Sequence, residues 1–345
     1  MITLTIDGTK VTVAENTTIL AAANSLGIKI PVLCYHERLK PIASCRMCVV
    51  EVDGYDAPMT ACNTPVIDGI NVVTNSERLQ NLRKENLQLI LINHPLDCPV
   101  CDKGGECAVQ DFVYEFGIET TPYELQKAER RSVYATPLIR FWPDRCIMCL
   151  RCVAACRDIK ALGAIDVSGC GYDSQVSPVN AERCESCGEC LRLCPTGALT
   201  ENLSRVKGRP WMTQKVGTTC TYCGCGCQLE LNTFDGHIIG VTTQDSKGIN
   251  RGSLCVKGRF GYEFIHSEDR LKKPLIRKNG QFHEATWDEA LGLIADKFTA
   301  IKSSYGPDAI AGLASARCTN EENYLMQKFM RAAIGTNNID HCARL

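Results

Sequence analysis

Two cysteine runs decide the fold: Cys146-Ile-Met-Cys-Leu-Arg-Cys-Val-Ala-Ala-Cys156 and Cys184-Glu-Ser-Cys-Gly-Glu-Cys-Leu-Arg-Leu-Cys194. Both have the spacing C-x2-C-x2-C-x3-C, and Pro195 follows the second run. In chains with two such runs, three cysteines of each run bind one [4Fe–4S] cluster, and the fourth cysteine binds the other cluster. The repeat therefore predicts a two-cluster ferredoxin domain, which we place at residues 138–207.

The crossed arrangement gives two predicted ligand sets. The first set is Cys146, Cys149, Cys152 and Cys194, and the second is Cys156, Cys184, Cys187 and Cys190. Arg157 stands where the first run would carry proline, which weakens the turn there but leaves the number of ligands unchanged.

Composition separates two classes of cysteine-rich protein. The 345 residues include 23 cysteines, and the formal net charge is −1, which gives no indication of a nucleic-acid partner. The segment Met1–Gly8 has neither the basic nor the apolar part of a secretion signal, and no apolar run reaches 18 residues. We therefore expect a cytoplasmic protein without a membrane span, in which clustered cysteines bind metal rather than form disulfides.

Upstream of the repeat, the chain predicts a β-grasp domain at residues 1–77. Ile2–Ile6 and Lys10–Val13 alternate around an Asp-Gly turn, as in a β-hairpin. A helix capped by Asn16 or Thr17 follows and stops at Gly27. Further strands are expected at Val49–Val52 and near residues 70–74. The interposed cysteines have the spacing C-x10-C-x2-C-x13-C and predict [2Fe–2S] ligands: Cys34, Cys45, Cys48 and Cys62.

A second helix, Ser76–Asn93, leads into the pattern H-x3-C-x2-C-x5-C. A histidine at a helix end before a C-x2-C pair is a candidate ligand. Both patterns resemble the N-terminal modules of the large iron–sulfur subunit of respiratory complex I. The resemblance implies a [4Fe–4S] module at residues 78–120 with the ligands His94, Cys98, Cys101 and Cys107. Thr121–Arg131 then reads as a charged linker.

Downstream of the repeat lies Cys220-Thr-Tyr-Cys-Gly-Cys-Gly-Cys227, followed by Cys255. The spacing C-x2-C-x3-C-x27-C predicts a further [4Fe–4S] cluster in a small β-rich domain at residues 214–270. Its expected ligands are Cys220, Cys223, Cys227 and Cys255. Cys225 lies inside the same loop and is an alternative ligand. Structural zinc is the competing interpretation of all these C-x2-C pairs.

The last segment changes character. Helices at Trp287–Phe298, capped by Thr286, and at Asn320–Ala333 flank a buried strand candidate, Ala309–Ala314. This alternation predicts the start of an α/β domain at residues 271–345. The predicted fold class is therefore α+β and multi-domain. Cysteines outside the ligand sets are expected to be free thiols: Cys170, Cys225, Cys318 and Cys342.

The whole chain resembles the N-terminal part of the catalytic subunit of cytoplasmic molybdenum- or tungsten-dependent formate dehydrogenases. The resemblance rests on the ligand sets and on three further motifs: Cys255-Val-Lys-Gly-Arg259, Arg317-Cys-Thr-Asn-Glu-Glu-Asn-Tyr324 and Asn338-Ile-Asp-His-Cys-Ala-Arg-Leu345. It implies that Lys257 passes electrons between the last cluster and a pterin. The implied cofactors are one [2Fe–2S] cluster, four [4Fe–4S] clusters and a Mo- or W-bis(pterin guanine dinucleotide), with formate or CO2 as substrate.

In that family, a segment like His341–Leu345 leads directly into the selenocysteine or cysteine that binds the metal. We therefore expect either a reading frame that stops at a selenocysteine codon or a partial chain. Gly224 and Gly226 form no nucleotide-binding fingerprint, since they follow no strand and lie among cysteines. Electrons are thus expected to pass to a partner redox subunit, such as a flavin/NAD(P) diaphorase or a hydrogenase-type complex.

Two alternatives remain open, and the cysteine spacing after the repeat argues against a third. A non-catalytic, polyferredoxin-like electron carrier would need the same clusters without a pterin. A complex-I-type large iron–sulfur subunit shares the outer modules but usually lacks the inserted repeat. An iron-only hydrogenase shares the first modules but needs a different cysteine set after the repeat.

Overall fold

The computed structural model describes residues 1–123, 133–202 and 208–342. The chain divides into two compact units, Met1–Thr213 and Gln214–Leu345. Most of the predicted linker Thr121–Arg131 lies outside the described residues, as do the last residues of the terminal motif, Ala343–Leu345.

The first 75 residues form a five-stranded sheet with one helix, which confirms the β-grasp prediction. Its strands are β1 (Ile2–Ile6), β2 (Thr9–Val13), β3 (Val49–Val52), β4 (Met59–Thr60) and β5 (Asn71–Val73), in the order β2-β1-β5-β3-β4. Strands β1 and β5 pair in parallel, and the other pairs are antiparallel. Asp7 and Gly8 join β1 to β2 with φ of 47° and 79°, which matches the twist of a tight hairpin.

The first helix, α1 (Ile19–Ser25), corrects one prediction. Thr18 caps it, with extended backbone and a side chain that accepts a hydrogen bond from the Ala21 N–H at 3.2 Å. Asn16 has φ of 65° and so lacks the extended backbone that an N-cap residue adopts. The Thr17 hydroxyl instead donates to the Ala14 carbonyl. Gly27 ends the helix with positive φ, as predicted.

The second helix, α2 (Glu77–Leu91), packs one face against strand β3 and the loop that precedes it. Ser76 caps it by accepting from the Leu79 N–H at 3.2 Å. Residues four positions apart are buried in succession: Leu79, Arg83, Leu87 and Leu91. The buried Arg83 guanidinium donates to the carbonyls of Val49 and Thr74, which ties the helix to strand β3. A short helix, α3 (Ala108–Glu115), completes this module.

The ferredoxin region repeats its backbone conformation as well as its cysteines. It holds a three-stranded sheet and a separate hairpin: β6 (Val133–Thr136), β7 (Ile139–Phe141) and β10 (Leu199–Glu201), then β8 (Ile165–Ser168) and β9 (Gln175–Pro178). Helix α4 (Arg151–Ala154), continued by a π-helical turn at Ala155–Ile159, starts inside the first run, and α5 (Glu189–Leu193) starts inside the second. The residues before them, Leu150 and Gly188, both have left-handed φ, and so do Met148 and Ser186 at matching positions.

A buried carboxylate joins the β-grasp and ferredoxin regions. Glu189 is 1% exposed and forms ion pairs with Arg38 at 3.0 Å and Arg192 at 2.8 Å. Arg38 belongs to the loop after α1, so one acidic side chain holds two regions that are distant in sequence.

Replacing Glu189 with glutamine should lower the free energy of unfolding of the first unit by about 3 kcal/mol, because it leaves two partly buried guanidinium groups without their carboxylate. Urea unfolding of the purified protein measures this. The surface pair Arg157–Asp158 supplies the control, since its arginine is 64% exposed and Asp158→Asn should leave the unfolding midpoint unchanged. A loss at Glu189 no larger than in that control would contradict the role of this carboxylate.

The second unit begins with an antiparallel sheet of β11 (Gln214–Thr219), β12 (Gln228–Phe234) and β13 (His237–Thr242), followed by the short helix α6 (Val256–Phe260). This sheet confirms the prediction of a small β-rich domain in this segment. The remaining elements are β14 (Leu275–Lys278), β15 (Gln281–Glu284), α7 (Trp287–Tyr305), β16 (Gly312–Ser315), α8 (Asn320–Lys328) and β17 (Ile339–Cys342).

Three expected boundaries in this segment shift. Helix α7 runs to residue 305, past the predicted end at 298, and α8 changes to a π-helical turn at Phe329–Ile334 before Gly335. The strand expected at residues 309–314 begins three residues later, because Pro307–Ala309 forms a 3-10 turn. That strand is only partly buried: Gly312 is buried but Leu313 is 81% exposed, and within the described residues β16 pairs with β17 alone.

No helix in residues 1–123, 133–202 or 208–342 combines the length and the apolar character needed to cross a membrane.

Candidate iron–sulfur centres

The four predicted [2Fe–2S] ligands lie together in the loops around β3 and β4. All four thiols are at most 9% exposed. Cys34 and Cys45 lie in the long loop between α1 and β3, and the Cys34 N–H donates to the Cys45 Sγ at 3.4 Å. Cys48 immediately precedes β3, and Cys62 lies just after β4.

These thiols interact in two pairs. The Cys34 thiol lowers the pKa of Cys45 to about 6 through a side-chain hydrogen bond, and the Cys62 thiol lowers the pKa of Cys48 in the same way. The hydrogen bond with Cys48 and burial raise the pKa of Cys62, and the charges of Cys34 and Cys45 raise it further, so the two pairs are within electrostatic reach of each other. Two pairs at one site match the requirement of a [2Fe–2S] cluster, in which four thiolates hold two irons.

The one-histidine site lies between α2 and α3. His94 is 7% exposed and comes just after α2. Cys98 and Cys101 bracket a 3-10 turn, and Cys107 precedes α3. Burial raises the pKa of Cys107, and the charges of Cys101 and Cys98 raise it further, which places the three thiols near one another. The loop is held by Arg209, whose guanidinium donates to the Cys101 carbonyl at 2.8 Å.

The first tetranuclear set lines one small space. A cavity of about 10 Å³ is bounded by Cys146, Cys149, Cys152 and Cys194, together with six other side chains that are apolar except for Thr196. Burial, followed by the charge of Cys194, raises the pKa of Cys149 to about 12. The fourth cysteine of the second run therefore lies with three cysteines of the first run. Four thiols around one mostly apolar space match the number of ligands that a [4Fe–4S] cluster requires.

The second tetranuclear set shows the reciprocal arrangement. Burial raises the pKa of Cys190 to about 12, and the charges of Cys187, Cys156 and Cys184 contribute in the same direction. Cys156 of the first run is thus near the second run. This set is more open than the first, since Cys184 is exposed while Cys156 and Cys187 are half-buried.

In the second unit, Cys220 and Cys227 close a hairpin loop between β11 and β12, where the Cys220 N–H donates to the Cys227 carbonyl at 2.8 Å. The charges of Cys255 and Cys223 raise the pKa of Cys220, after burial. Burial raises the pKa of Cys227, and among the cysteines the charge of Cys225 raises it most. Cys225 and Cys227 therefore both remain candidate ligands.

Helix α6 starts directly after Cys255 and packs against this loop. A Cβ on its Gly258 would lie 3.5 Å from the Cys220 Sγ, so the glycine permits the close approach. Lys257 is the second residue of α6, and its side chain is exposed.

One apolar core contains thiols from three of the sites in the first unit: Cys34 and Cys45, Cys107, and Cys149. The other buried members of this shared core are Leu33, Met47, Leu87, Leu91, Val109 and Ile118. Three cysteine sets that are distant in sequence are thus packed into one continuous hydrophobic environment.

Local backbone and side-chain features fit bound clusters. Left-handed backbone recurs at matching positions of both ferredoxin runs, at Met148 and Leu150 and at Ser186 and Gly188. Left-handed residues in such loops help to form concavities that suit an anionic group. The buried Arg151 Nε has no hydrogen-bond partner within the described structure, which indicates a missing negative group beside it. Among the described side chains, no three His, Cys, Asp or Glu residues converge closely enough for a single metal ion.

Sequence reasoning missed three residues around these sites. Gly197 is in contact with the Cys101 side chain, Arg151 lies between two cysteine sets, and Arg145 forms a 2.5 Å ion pair with Asp97. Arg145 also stacks on Trp142. The sequence offered only weak signals for these residues: a glycine three residues after the last cysteine, and arginines inside or beside a cysteine run. Such residues are also common where they have no functional role.

Comparisons with known proteins match the chain in five consecutive segments. Residues 1–77 match a 2Fe-2S iron–sulfur cluster binding domain, and residues 83–122 match the NADH-ubiquinone oxidoreductase-G iron–sulfur binding region. Residues 136–200 match the ferredoxin-like domain of NADH-quinone oxidoreductase subunit 3. Residues 213–267 match the Fe4S4 domain of molybdopterin oxidoreductases, and residues 270–345 match molybdopterin oxidoreductase itself. The chain therefore carries iron–sulfur domains and then the start of a molybdopterin oxidoreductase domain, in the predicted order.

Curated relatives carry three different names. The chain is 47% identical to the NADPH-Fe(3+) oxidoreductase subunit alpha of Geobacter sulfurreducens and 40% identical to an NADH-quinone oxidoreductase subunit of Rhizobium meliloti. Each alignment covers all of this chain and 40% of the relative. A putative formate dehydrogenase of Staphylococcus aureus is 36% identical, over 99% of this chain and 39% of its own length. The chain thus spans about two fifths of the curated relatives it matches.

A solved structure has a similar fold over part of the chain. The crystal structure of the NAD+-reducing [NiFe]-hydrogenase in its H2-reduced state aligns with a TM-score of 0.55 and 29% identity. The alignment covers 59% of this chain and 88% of the hydrogenase chain.

Proposed function

We propose that this chain is the iron–sulfur relay portion of a formate dehydrogenase or CO2 reductase subunit, which passes electrons between a Mo- or W-bis(pterin guanine dinucleotide) site and a partner redox subunit. The observation that carries the proposal is the shared core, in which thiols from three cysteine sets pack together. A relay needs its centres close together, and a core that packs cysteines of three predicted sets against one another supports such an arrangement.

The residues proposed to hold the clusters are the five predicted sets. The [2Fe–2S] set is Cys34, Cys45, Cys48 and Cys62, and the one-histidine set is His94, Cys98, Cys101 and Cys107. The remaining sets are Cys146, Cys149, Cys152 and Cys194; Cys156, Cys184, Cys187 and Cys190; and Cys220, Cys223, Cys227 and Cys255. Bound clusters of these types supply one-electron transfer.

Lys257 is proposed to carry the step between the last cluster and the pterin. It follows the proposed ligand Cys255 by two residues, on a helix that approaches Cys220 closely. A cation there lowers the free energy of negative charge that arrives at the cluster.

Formate is proposed as the substrate of the longer protein because of the terminal motifs and the 36% identical relatives. Relatives of higher identity favour a second candidate, a relay subunit whose electrons come from or go to a nicotinamide nucleotide through a partner. The likeness to a chain of an NAD+-reducing hydrogenase supports a diaphorase or hydrogenase-type partner in either case.

Metal analysis tests the cluster assignment directly. One binuclear and four tetranuclear centres predict about 18 iron atoms and an equivalent amount of acid-labile sulfide per chain. Iron and sulfide determination, with EPR of the reduced protein, measures both. A preparation that contains mainly zinc would refute the cluster assignment.

The reducing substrate distinguishes the two candidate functions. The protein should be tested as its full-length subunit, with the molybdenum or tungsten site loaded, and the visible absorbance of its clusters followed under anaerobic conditions. Formate should reduce the clusters of the subunit alone, whereas NADH or NADPH should reduce them only when the partner subunit is present. If formate fails and a nicotinamide nucleotide plus partner succeeds, the second candidate replaces the first.

A further inference from the structure

Arg151 lies where two cysteine sets meet. It is the first residue of α4, and it stands between Cys149 and Cys152 in the first ferredoxin run. Its guanidinium reaches across to the β-grasp region and donates a hydrogen bond to the carbonyl of Tyr35, the residue after Cys34. One side chain thus connects the loop of the predicted [2Fe–2S] site to the loop of a predicted [4Fe–4S] site.

The negative groups that act on Arg151 come from both sites. Burial lowers the pKa of its guanidinium, and the thiols of Cys149, Cys34, Cys194 and Cys45 act in the opposite direction. Two of those thiols belong to each predicted cluster. Arginine stays protonated in proteins, so Arg151 is a fixed positive charge between them.

No carboxylate in the described structure forms an ion pair with Arg151, and its buried Nε has no hydrogen-bond partner there. Neighbouring arginines differ in this respect. Arg145 pairs with Asp97, while Arg38 and Arg192 share Glu189. Buried charges are normally paired, so the groups left to balance Arg151 are the cysteine thiolates and what they bind.

We propose that Arg151 is the cation shared by the cluster at Cys34, Cys45, Cys48 and Cys62 and the cluster at Cys146, Cys149, Cys152 and Cys194, and that it raises the reduction potential of both. The inference rests on the proposed cluster assignment. Each added electron makes a thiolate-bound cluster more negative, and a nearby positive charge stabilises that form. Because the guanidinium is partly buried and its Nε is shielded from solvent, salt screens this effect less than it would at an exposed arginine.

A redox titration of the purified, cluster-loaded protein, followed by EPR, tests the proposal. Arg151→Gln removes the charge but keeps a polar side chain. It should shift the one-electron reduction equilibrium of both clusters at least tenfold toward the oxidised form, which corresponds to about 59 mV in each midpoint potential. Arg151→Lys keeps the positive charge. It should change the one-electron reduction equilibrium of each cluster by no more than about threefold relative to the unmodified protein.

Arg78→Gln is the matched control. Arg78 lies on α2, and its side chain is 57% exposed. The substitution removes the same formal charge as Arg151→Gln, but solvent and salt screen that charge, so both reduction potentials should stay unchanged. Iron content and the EPR signals of each variant show first that both clusters are present.

The outcomes separate this inference from the proposed function. If the unmodified protein lacks the two clusters, the proposed function fails. If Arg151→Gln has both clusters and unchanged potentials, the shared-cation role is wrong. If Arg151→Gln does not assemble, Arg151→Lys decides: a lysine variant with both clusters and both potentials lowered would also overturn the role of the charge.

Discussion

Replacing Cys194 with alanine should abolish the tetranuclear cluster of the first ferredoxin run and leave the cluster of the second run in place. Cys194 belongs to the second run by sequence, but it lines the same cavity as Cys146, Cys149 and Cys152. Its removal leaves three thiols and an open position in that cavity. The protein should lose about four iron atoms per chain, by the stoichiometry of the cluster type.

EPR spectra of matched variants identify which cluster is lost. The spectrum of Cys194→Ala should match that of Cys146→Ala and differ from that of Cys184→Ala. Cys156→Ala should show the reciprocal behaviour, because Cys156 lies near Cys184, Cys187 and Cys190. Cys170→Ala provides the control, since this exposed cysteine belongs to no predicted set. A Cys194→Ala spectrum that matches Cys184→Ala would show that each run binds its own cluster, against the crossed assignment.

Gly197→Val should disrupt the one-histidine cluster, although Gly197 lies far from it in sequence. A Cβ at this position would lie 2.3 Å from the Cys101 Sγ, well inside van der Waals contact. The Cys101 side chain cannot move away if its sulfur is bound to iron. The same Cβ would also lie 3.4 Å from the Lys103 side chain and 3.5 Å from the Arg145 side chain, which leaves the valine little room. We expect loss of about four iron atoms and of one tetranuclear EPR signal.

Gly217→Val separates this local clash from a general effect of valine. Gly217 lies in strand β11, where a Cβ would meet no atom within 4 Å and β-branched residues are favoured. That variant should keep its full iron content. A Gly197→Val protein with unchanged iron and EPR signals would show that the contact between these two loops is not required for the cluster.

The sequence predicted the fold where local rules are strong. Cysteine spacing and the ferredoxin repeat predicted the order of domains, because each cluster type requires its ligands at set intervals along the chain. The Asp7-Gly8 hairpin and the helix end at Gly27 follow from glycine and aspartate turn chemistry. The N-cap of α1 was placed one or two residues early, since Asn16, Thr17 and Thr18 all suit a cap by residue type.

What the sequence could not predict are contacts between segments that are distant along the chain. The approach of Gly197 to Cys101 and the reach of Arg151 to Tyr35 depend on how the ferredoxin region packs on the modules before it. Arg151 looks from sequence like any arginine in a cysteine loop, and its position between two sites emerges only from tertiary structure. The exposure of Leu313 was missed for a similar reason, since an apolar strand looks buried until its neighbours are known.

The shared core has a consequence for how this protein is made. Its interior includes Cys34, Cys45, Cys107 and Cys149, which belong to three different predicted ligand sets. Where metal binding and folding use the same groups, the binding free energy becomes part of the free energy of folding. We infer that maturation of the first unit is a single cooperative event, in which the supply of iron and sulfide acts as a folding factor. Iron starvation would then lower the amount of folded protein rather than leave a pool of intact apoprotein that awaits its metal.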